Sequence, residues 1–422
     1  MKKRVYRAET IKQVNIEKLS KLVEGQRIVF GIDVAKLDFF GVFMDKEREV
    51  LKTIKWKSPK DTQELLALLK QLPASQLETA MEPSGTYGDT LRYSLEKSGF
   101  PVFLVSPKRS KDACEVYDGV PSSHDAKSAA IIAKLHWDKA SKPWPKKTDE
   151  ERRLAAQIDM MALYDDQRAR NVNRLEAKLA RYWPELPTIF DLNSATLLRT
   201  IAEYGGPEAV AKNSDDALQS MKRIGRGTLS MEKCLHAVES AKTTTGVPML
   251  DAECEALKEL AKEILRNRDA ARGAKADIER FVSNNAPMEH LAKAVGKVTA
   301  AVLVVELGDP SNYDSAPAYV KAAGLNLKER SSGKHQGKLK ITKRGSSVAR
   351  RYLYLAALRL ICSCPICRAW YHKKVARDGG KNKMFGVIGV MRKLTKALWH
   401  VGQGAEFDPT KLFDISRLKI VL

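Results

Sequence analysis

The stretch Arg27–Asp45, "RIVFGIDVAKLDFFGVFMD", decides the fold. An apolar run ends at Asp33, a short turn follows, and a second apolar run closes at Asp45. Short runs rich in β-branched and aromatic residues read as buried strands. "REVLKTIKW" (Arg48–Trp56) supplies a third. Working outward, "SPKDTQELLALLKQL" (Ser58–Leu72) has helical apolar spacing, with Ser58 as a candidate N-cap. "LETAMEPSGTYG" (Leu77–Gly88) reads as a fourth strand that delivers Glu82 at its exit. A helix over Asp89–Lys97, a short strand in "PVFLVSP" and further helix follow. The order β-β-β-α-β-α-β-α predicts an α/β domain.

A carboxylate at the end of an apolar strand is costly unless a cation meets it. Asp33 and Glu82 both stand at strand ends, and Asp125 in "SSHDAKSAAIIAKL" opens a helix. Three such acids can converge on a divalent ion and polarise a phosphodiester. Asp125 also has a plainer role, as a negative charge favoured by the helix dipole.

The 422 residues are too many for one compact core. Lys plus Arg exceed Asp plus Glu by 73 − 51 = 22, an excess that attracts polyanions such as DNA or RNA. A membrane partner would need a basic amphipathic segment or an apolar run of about 18 residues, and no such run exists. The opening "MKKRVYRAETIKQVN" has charge without an apolar stretch behind it, so no secretory signal and a cytoplasmic location are expected. Cys362, Cys364 and Cys367 crowd into "CSCPIC" and could recruit His372 to a zinc ion. Structural zinc sites usually use two separated ligand pairs, and buried small side chains are the plainer reading.

Prolines in "KPWPKK" close the first domain, and Thr148 with Glu151 form a capping-box pattern. A helix from Asp149 to about Trp183 carries a narrow apolar stripe, and a second runs over Asp251–Val282. Two such stripes suit an antiparallel arm, a coiled coil between subunits, or two helices on a core of their own. Residues 184–250 between them read as a small helical insert.

Gly296 separates two apolar helical segments in "HLAKAVGKVTAAVLVVELGD", a helix-hairpin-helix pattern that presents backbone N–H groups to phosphate. From Lys321 to Arg351 there are ten Lys or Arg and one acid, Glu329. Such density neutralises phosphates without reading sequence. The expected contacts are Lys328, Arg330, Lys334, Lys338, Lys340, Lys343, Arg344, Arg350 and Arg351. Among them lies "RSSGK" (Arg330–Lys334). Serine attacks poorly unless a base or metal assists, and nearby cations stabilise charge on an attacked phosphate. The residues alone do not separate Ser331 from Ser332. Ser346 and Ser347 follow Gly345 at a helix start, where capping is the expected role.

"GIDVAK", "MEPSGTYG" and "HDAKSA" resemble the acidic motifs of bridge-RNA-guided insertion-sequence transposases of the IS one-ten type, relatives of the Piv and MooV invertases. The segment from "GDPSNYDSAPAYVKAAGL" through "ITKRGSSVARRYLYLAAL" to "RAWYHKKVARDGGKNKMFGVIGVMRKLTKALW" resembles their C-terminal domain. The resemblance implies an N-terminal extension (1–26) and a RuvC-like domain of RNase H fold (27–145). It further implies a helical coiled-coil region (146–285) and a helical serine transposase domain (286–422). It maps the first three acids of the family's set onto Asp33, Glu82 and Asp125, and places Ser128 where the family has a fourth. These four would hold Mg2+, with Asp118 or His124 as substitutes for Ser128. It implies Ser332 as nucleophile, double-stranded donor and target DNA and a structured non-coding RNA as partners, and a homodimer assembling to a tetramer.

Other classes compete. A metal-dependent nuclease of the Holliday-junction type would use the acids alone, a protein-directed invertase would need no RNA, and an inactive nucleic-acid binder would make no product. Actin-like kinases share the "GID" opening but need a strand leading into Asp-Gly-Gly-Thr. The only Asp-Gly-Gly, at Asp378–Gly380, follows a basic helix pattern.

Overall fold

A computed structural model describes residues 7–83, 85–117, 124–226, 228–329, 339–377, 379–414 and Leu418. The chain divides into two units, Met1–Lys146 and Lys147–Leu422.

The first unit is built on seven strands: β1 (Glu9–Thr10), β2 (Arg27–Asp33), β3 (Asp38–Met44), β4 (Val50–Lys57), β5 (Gln76–Met81), β6 (Val102–Val105) and β7 (Ser141–Pro143). Their order in the sheet is β1-β4-β3-β2-β5-β6-β7. β2, β3 and β4 form the antiparallel meander, while β5 and β6 continue from β2 in parallel. Period-two alternation fixes both faces. Ile28, Phe30 and Ile32 join a core with helices α1 (Ile16–Val23), α2 (Thr62–Gln71) and α3 (Asp89–Lys97). Val29, Ala80 and Val105 join the opposite core with α4 (Pro107–Ala113) and α5 (Asp125–Trp137). The result is a three-layer α/β unit.

Two details differ from the sequence reading. Residues before Arg27 join this unit, because β1 pairs in parallel with β4 and Ile11, Leu19 and Val23 enter the core. Ser58 does not cap α2, which starts four residues later, at Thr62. Its backbone N–H instead donates to Leu37 O at 2.9 Å, closing the end of β4.

In the second unit, α6 (Asp149–Tyr182) and α12 (Asp251–Ser283) pair antiparallel within the chain. The 34 residues of α6 span about 50 Å. Its capping box is closed: Glu151 N donates to Thr148 Oγ1 at 3.1 Å, and Thr148 N donates to Glu151 Oε2 at 2.8 Å. The insert folds as α7 (Leu186–Ile189), α8 (Ala195–Tyr204), α9 (Pro207–Lys212), α10 (Ser214–Gly225) and α11 (Met231–Lys242). These share a core with one end of the pair, through Leu175, Leu179, Leu257 and Ile264. The other end, through Leu154, Ile158 and Ile278, packs with the C-terminal helices. Those helices are α13 (Ala286–Val295), α14 (Lys297–Leu307), α15 (Ala316–Ala322), α16 (Ser347–Ser363), α17 (Pro365–Ala376) and α18 (Lys383–Gly402). No single described helix is long and apolar enough to cross a membrane.

Candidate active site

In the parallel register of β2 and β5, Ile32 lies opposite Met81. The next residues, Asp33 and Glu82, therefore leave the sheet side by side at its carboxyl edge, where open α/β sheets carry their ligands. Helix α5 packs on β2 because Gly31 leaves room for it. A Cβ at Gly31 would stand 2.3 Å from Ala129 O and 2.7 Å from Ala133 N. That close approach brings the first turn of α5, with Asp125 and Ser128, to the same edge. His124 caps the helix, its Nδ1 accepting from Lys127 N at 3.2 Å.

A cleft of about 430 Å³ opens there, lined by Asp33, Glu82 and Ser128, with Ser110, Lys111 and Glu115 from α4 and the turn beyond it. Burial, then the charges of Asp125 and Glu82, push Asp33 up from 3.8 to about 6, against an opposing hydrogen bond from the Val34 backbone. Burial also raises Glu82, and the nearby Ser110 hydroxyl partly offsets this. Ser110 is 7% exposed and its Oγ is buried.

This donor set suits a hard divalent cation: carboxylate and hydroxyl oxygens face one another, and a cation would relieve the like-charge repulsion that raises Asp33. The structure brings Asp33, Glu82 and Ser128 into one cleft and Asp125 within electrostatic reach. As placed, no three His, Cys, Asp or Glu side chains among the described residues stand close enough to chelate an ion together. This also holds for the cysteine cluster, where Cys367 is buried and its thiol is pushed up to about 12, first by burial and then by Cys364.

Sequence reasoning missed Ser110, Lys111 and Glu115. The signal was the parallel neighbour strand: β6 exits at the same edge as β5, and α4 begins two residues later. A sequence that assigns the strand also assigns the following turn to the cleft.

The basic segment lies in the second unit. Strands β8 (Leu327–Lys328) and β9 (Lys340–Ile341) form a short antiparallel ladder that pairs Lys328 with Lys340. Lys328, Lys340, Lys343, Arg344 and Arg351 are exposed. Arg350 is half-buried, and its Nη1 donates to Gly345 O at 2.9 Å and to Ala323 O at 3.3 Å, tying the loop to α15. Gly345 allows that docking, since a Cβ there would meet Ala322 O at 2.0 Å. Ser346 caps α16, accepting from Ala349 N at 3.0 Å, and also contacts Glu306. Gly296, at φ 82°, joins α13 to α14 as the helix-hairpin-helix pattern requires. Ser331, Ser332, Arg330, Lys334 and Lys338 lie outside the described residues, as do Asp118 and Asp378.

Two family models match the chain, and the first of them runs from the first unit through α6 of the second. Residues 30–184 match the DEDD-type family model of IS110 elements described as "Transposase". Residues 292–372 match the one described as "Transposase IS116/IS110/IS902 family". A protein of Streptomyces coelicolor, described as an uncharacterized 43.6 kDa protein of insertion element IS110, is 22% identical over 308 residues, covering 71% of this chain and 75% of that one. With both domains present in order, the chain is an IS110-family transposase.

Proposed function

We propose that this transposase exchanges DNA strands through a serine nucleophile supported by the acidic cleft, with a structured non-coding RNA pairing to donor and target DNA. The observation that carries the reading is the cleft. Carboxylates gathered at a sheet edge at the expense of Asp33's ionisation are a site awaiting positive charge, and a metal-assisted phosphoryl transfer uses such a site. In this reading the Ser332 hydroxyl loses its proton and attacks phosphorus. The bond from phosphorus to one deoxyribose oxygen breaks, and that oxygen leaves with a proton. The phosphoserine ester keeps the bond energy for the reverse attack by a second DNA end. Asp33, Glu82 and Asp125, with Ser128 as a weak fourth partner, would hold a magnesium ion, which supplies Lewis-acid stabilisation of charge on the phosphate when bound.

The exposed Lys328, Lys340, Lys343, Arg344 and Arg351 neutralise phosphates around the attacked bond. Arg350 ties the loop's base to α15 through Nη1 and adds its charge to the same segment. Contacts of this kind fix register and carry no sequence information, so site choice falls to pairing with RNA. Joining two duplexes requires four strands to be cut, which suits a homodimer that assembles to a tetramer with one serine per strand.

The test is to express the protein with its native flanking DNA, sequence the RNA that co-purifies, and look for a protein–DNA adduct that survives denaturation. The wild type gives a discrete RNA and an adduct, whereas Ser332→Ala and Asp33→Asn give no adduct and no strand exchange. Full cleavage by Ser332→Ala would replace this reading with a nuclease that uses the acids alone.

A further inference from the structure

The second unit carries a cleft of its own, between the last turns of α18 and the segment 405–412. It measures about 440 Å³, a volume that suits a small ligand. Both stretches matched by the family models end before it, at residues 184 and 372, whereas α18 begins at Lys383. The wall facing α18 is anchored. Leu412 and Phe413 are buried, Phe413 stacks on Trp370 at 4.7 Å, and Ala405 O stands 2.9 Å from His290 Nε2.

Three kinds of surface meet in this cleft. Lys393, Lys396 and His400 recur at i, i+3 and i+7, so one face of α18 lines it with cations. Lys393 and Lys396 form no ion pair among the described residues. Across from them stand two carboxylates. Glu406 lies 3.8 Å from Lys293, and Asp408 accepts from Thr410 N at 2.9 Å and Thr410 Oγ1 at 2.6 Å. Those hydrogen bonds, with the charge of Lys411, hold Asp408 below the usual carboxylate range, so it stays a charged acceptor. Between cations and acids, Ala397, Val401, Phe407 and Leu412 form an apolar floor. The wider setting favours an anion. Residues 284–422 hold 25 Lys or Arg and 9 Asp or Glu, against 22 and 23 in residues 147–283.

We propose that this cleft binds a ribonucleoside phosphate, with the phosphate on Lys393 and Lys396, the ribose hydroxyls on Asp408 and the base against Phe407. The combination of surfaces selects this class. A bare phosphate would meet the lysines but also the carboxylates, and would leave the apolar floor wet. A fatty acid would cover the floor and leave Asp408 unmatched. A nucleotide matches all three. Lysine binds phosphate as a point charge, a carboxylate accepts from ribose hydroxyls in dinucleotide sites, and bases pack on aromatic side chains. Such a unit has two sources, an unpaired nucleotide of an RNA strand or a free ribonucleotide. The inference goes beyond the strand exchange proposed above and depends on neither the serine nor the acidic cleft.

The experiment labels the full-length protein, stripped of nucleic acid, with the photoaffinity probe 8-azidoadenosine monophosphate and maps the adduct by mass spectrometry. The adduct should fall within residues 393–412. Adenosine monophosphate should protect against it, and the deoxy analogue or inorganic phosphate should protect about tenfold less well, as expected when a hydrogen bond to a charged acceptor is lost. Lys393→Ala combined with Lys396→Ala should cut labelling about tenfold at low probe concentration. Asp408→Asn, which can still accept from Thr410, should remove the preference for the ribonucleotide. Circular dichroism would establish that both variants are folded. Protection by a short single-stranded RNA below the concentration needed for adenosine monophosphate identifies a strand as the source, and protection by the mononucleotide alone identifies a free ribonucleotide. Adducts scattered over the basic surface, or labelling unchanged in the double-lysine variant, overturn the inference. Equal protection by inorganic phosphate overturns the nucleoside and leaves an anion site only. Equal protection by the deoxy analogue overturns the part given to Asp408.

Discussion

Replacing Asp33 by asparagine should make the metal-free protein more stable. In the folded chain this carboxyl is pushed from 3.8 up to about 6, by burial first and by Asp125 and Glu82 second. A rise of that size corresponds to about 3 kcal/mol of unfavourable ionisation at neutral pH, at 1.36 kcal/mol per pKa unit. Between about pH 4 and 6 the folded state keeps a proton that the unfolded chain has lost. Stability therefore falls as pH rises through that window and is level above it. Asparagine has the same shape, can still accept from the Val34 N–H, and carries no charge. The assay is amide hydrogen exchange over Arg27–Asp33, which reports opening of the first unit without assuming that the whole chain unfolds at once. With chelator at pH 7.5, the variant should exchange up to about a hundredfold more slowly than wild type, the equivalent of about 3 kcal/mol. With magnesium the order should narrow or reverse, because only the wild type gains binding energy. Faster exchange in the metal-free variant, or a wild type whose protection relative to Asp33→Asn does not fall between pH 4 and 6, would refute the reasoning.

Gly31→Ala should lift α5 from β2, since its Cβ would meet Ala129 O at 2.3 Å. The expected loss is about 1 to 3 kcal/mol by chemical denaturation, with weaker magnesium binding as Asp125 and Ser128 shift. Asn267, 5% exposed with an Nδ2 that has no partner among the described residues, sits where the two apolar stretches of the α6–α12 pair are interrupted. Asn267→Leu should raise stability by about 1 kcal/mol, read as a higher denaturation midpoint, because a buried unpaired amide is lost. At the other end of the sheet, Glu78 accepts from Arg27 Nη2 at 2.7 Å and stands 3.3 Å from His136 Nε2. Burial holds His136 below its usual 6.5, so protonation opposes folding. Stability should drop as pH falls below about 6.5, and the drop should be absent in His136→Gln, followed by exchange over α5.

The parts of this molecule that were legible in its sequence are those where one local rule settles the outcome. The apolar run of Arg27–Asp33 announced a buried strand, and Asp33 drew notice because an acid ends it. Thr148 and Glu151 announced the start of α6 because a capping box is complete within four residues. Ser58 misled because α2 starts only at Thr62, with Asp61 at its N-cap position, and the Ser58 hydroxyl meets the Thr62 hydroxyl at 3.3 Å instead of a helical N–H.

What escaped the sequence depends on partners far away in the chain. Composition counts Arg350 with the other cations of the segment, and only the fold shows that its Nη1 also donates to the carbonyls of Ala323 and Gly345. Nothing in the residues around Ser110 marks it, and only the parallel pairing of β6 with β5 assigns it to the cleft. Parallel pairing sends successive strand exits to one edge, so every turn following such a strand becomes a wall of the same cleft. The acids were found one by one as costly residues. The hydroxyl between them follows only from topology, because a turn joins the cleft only once the strand before it is known to run parallel to its neighbour.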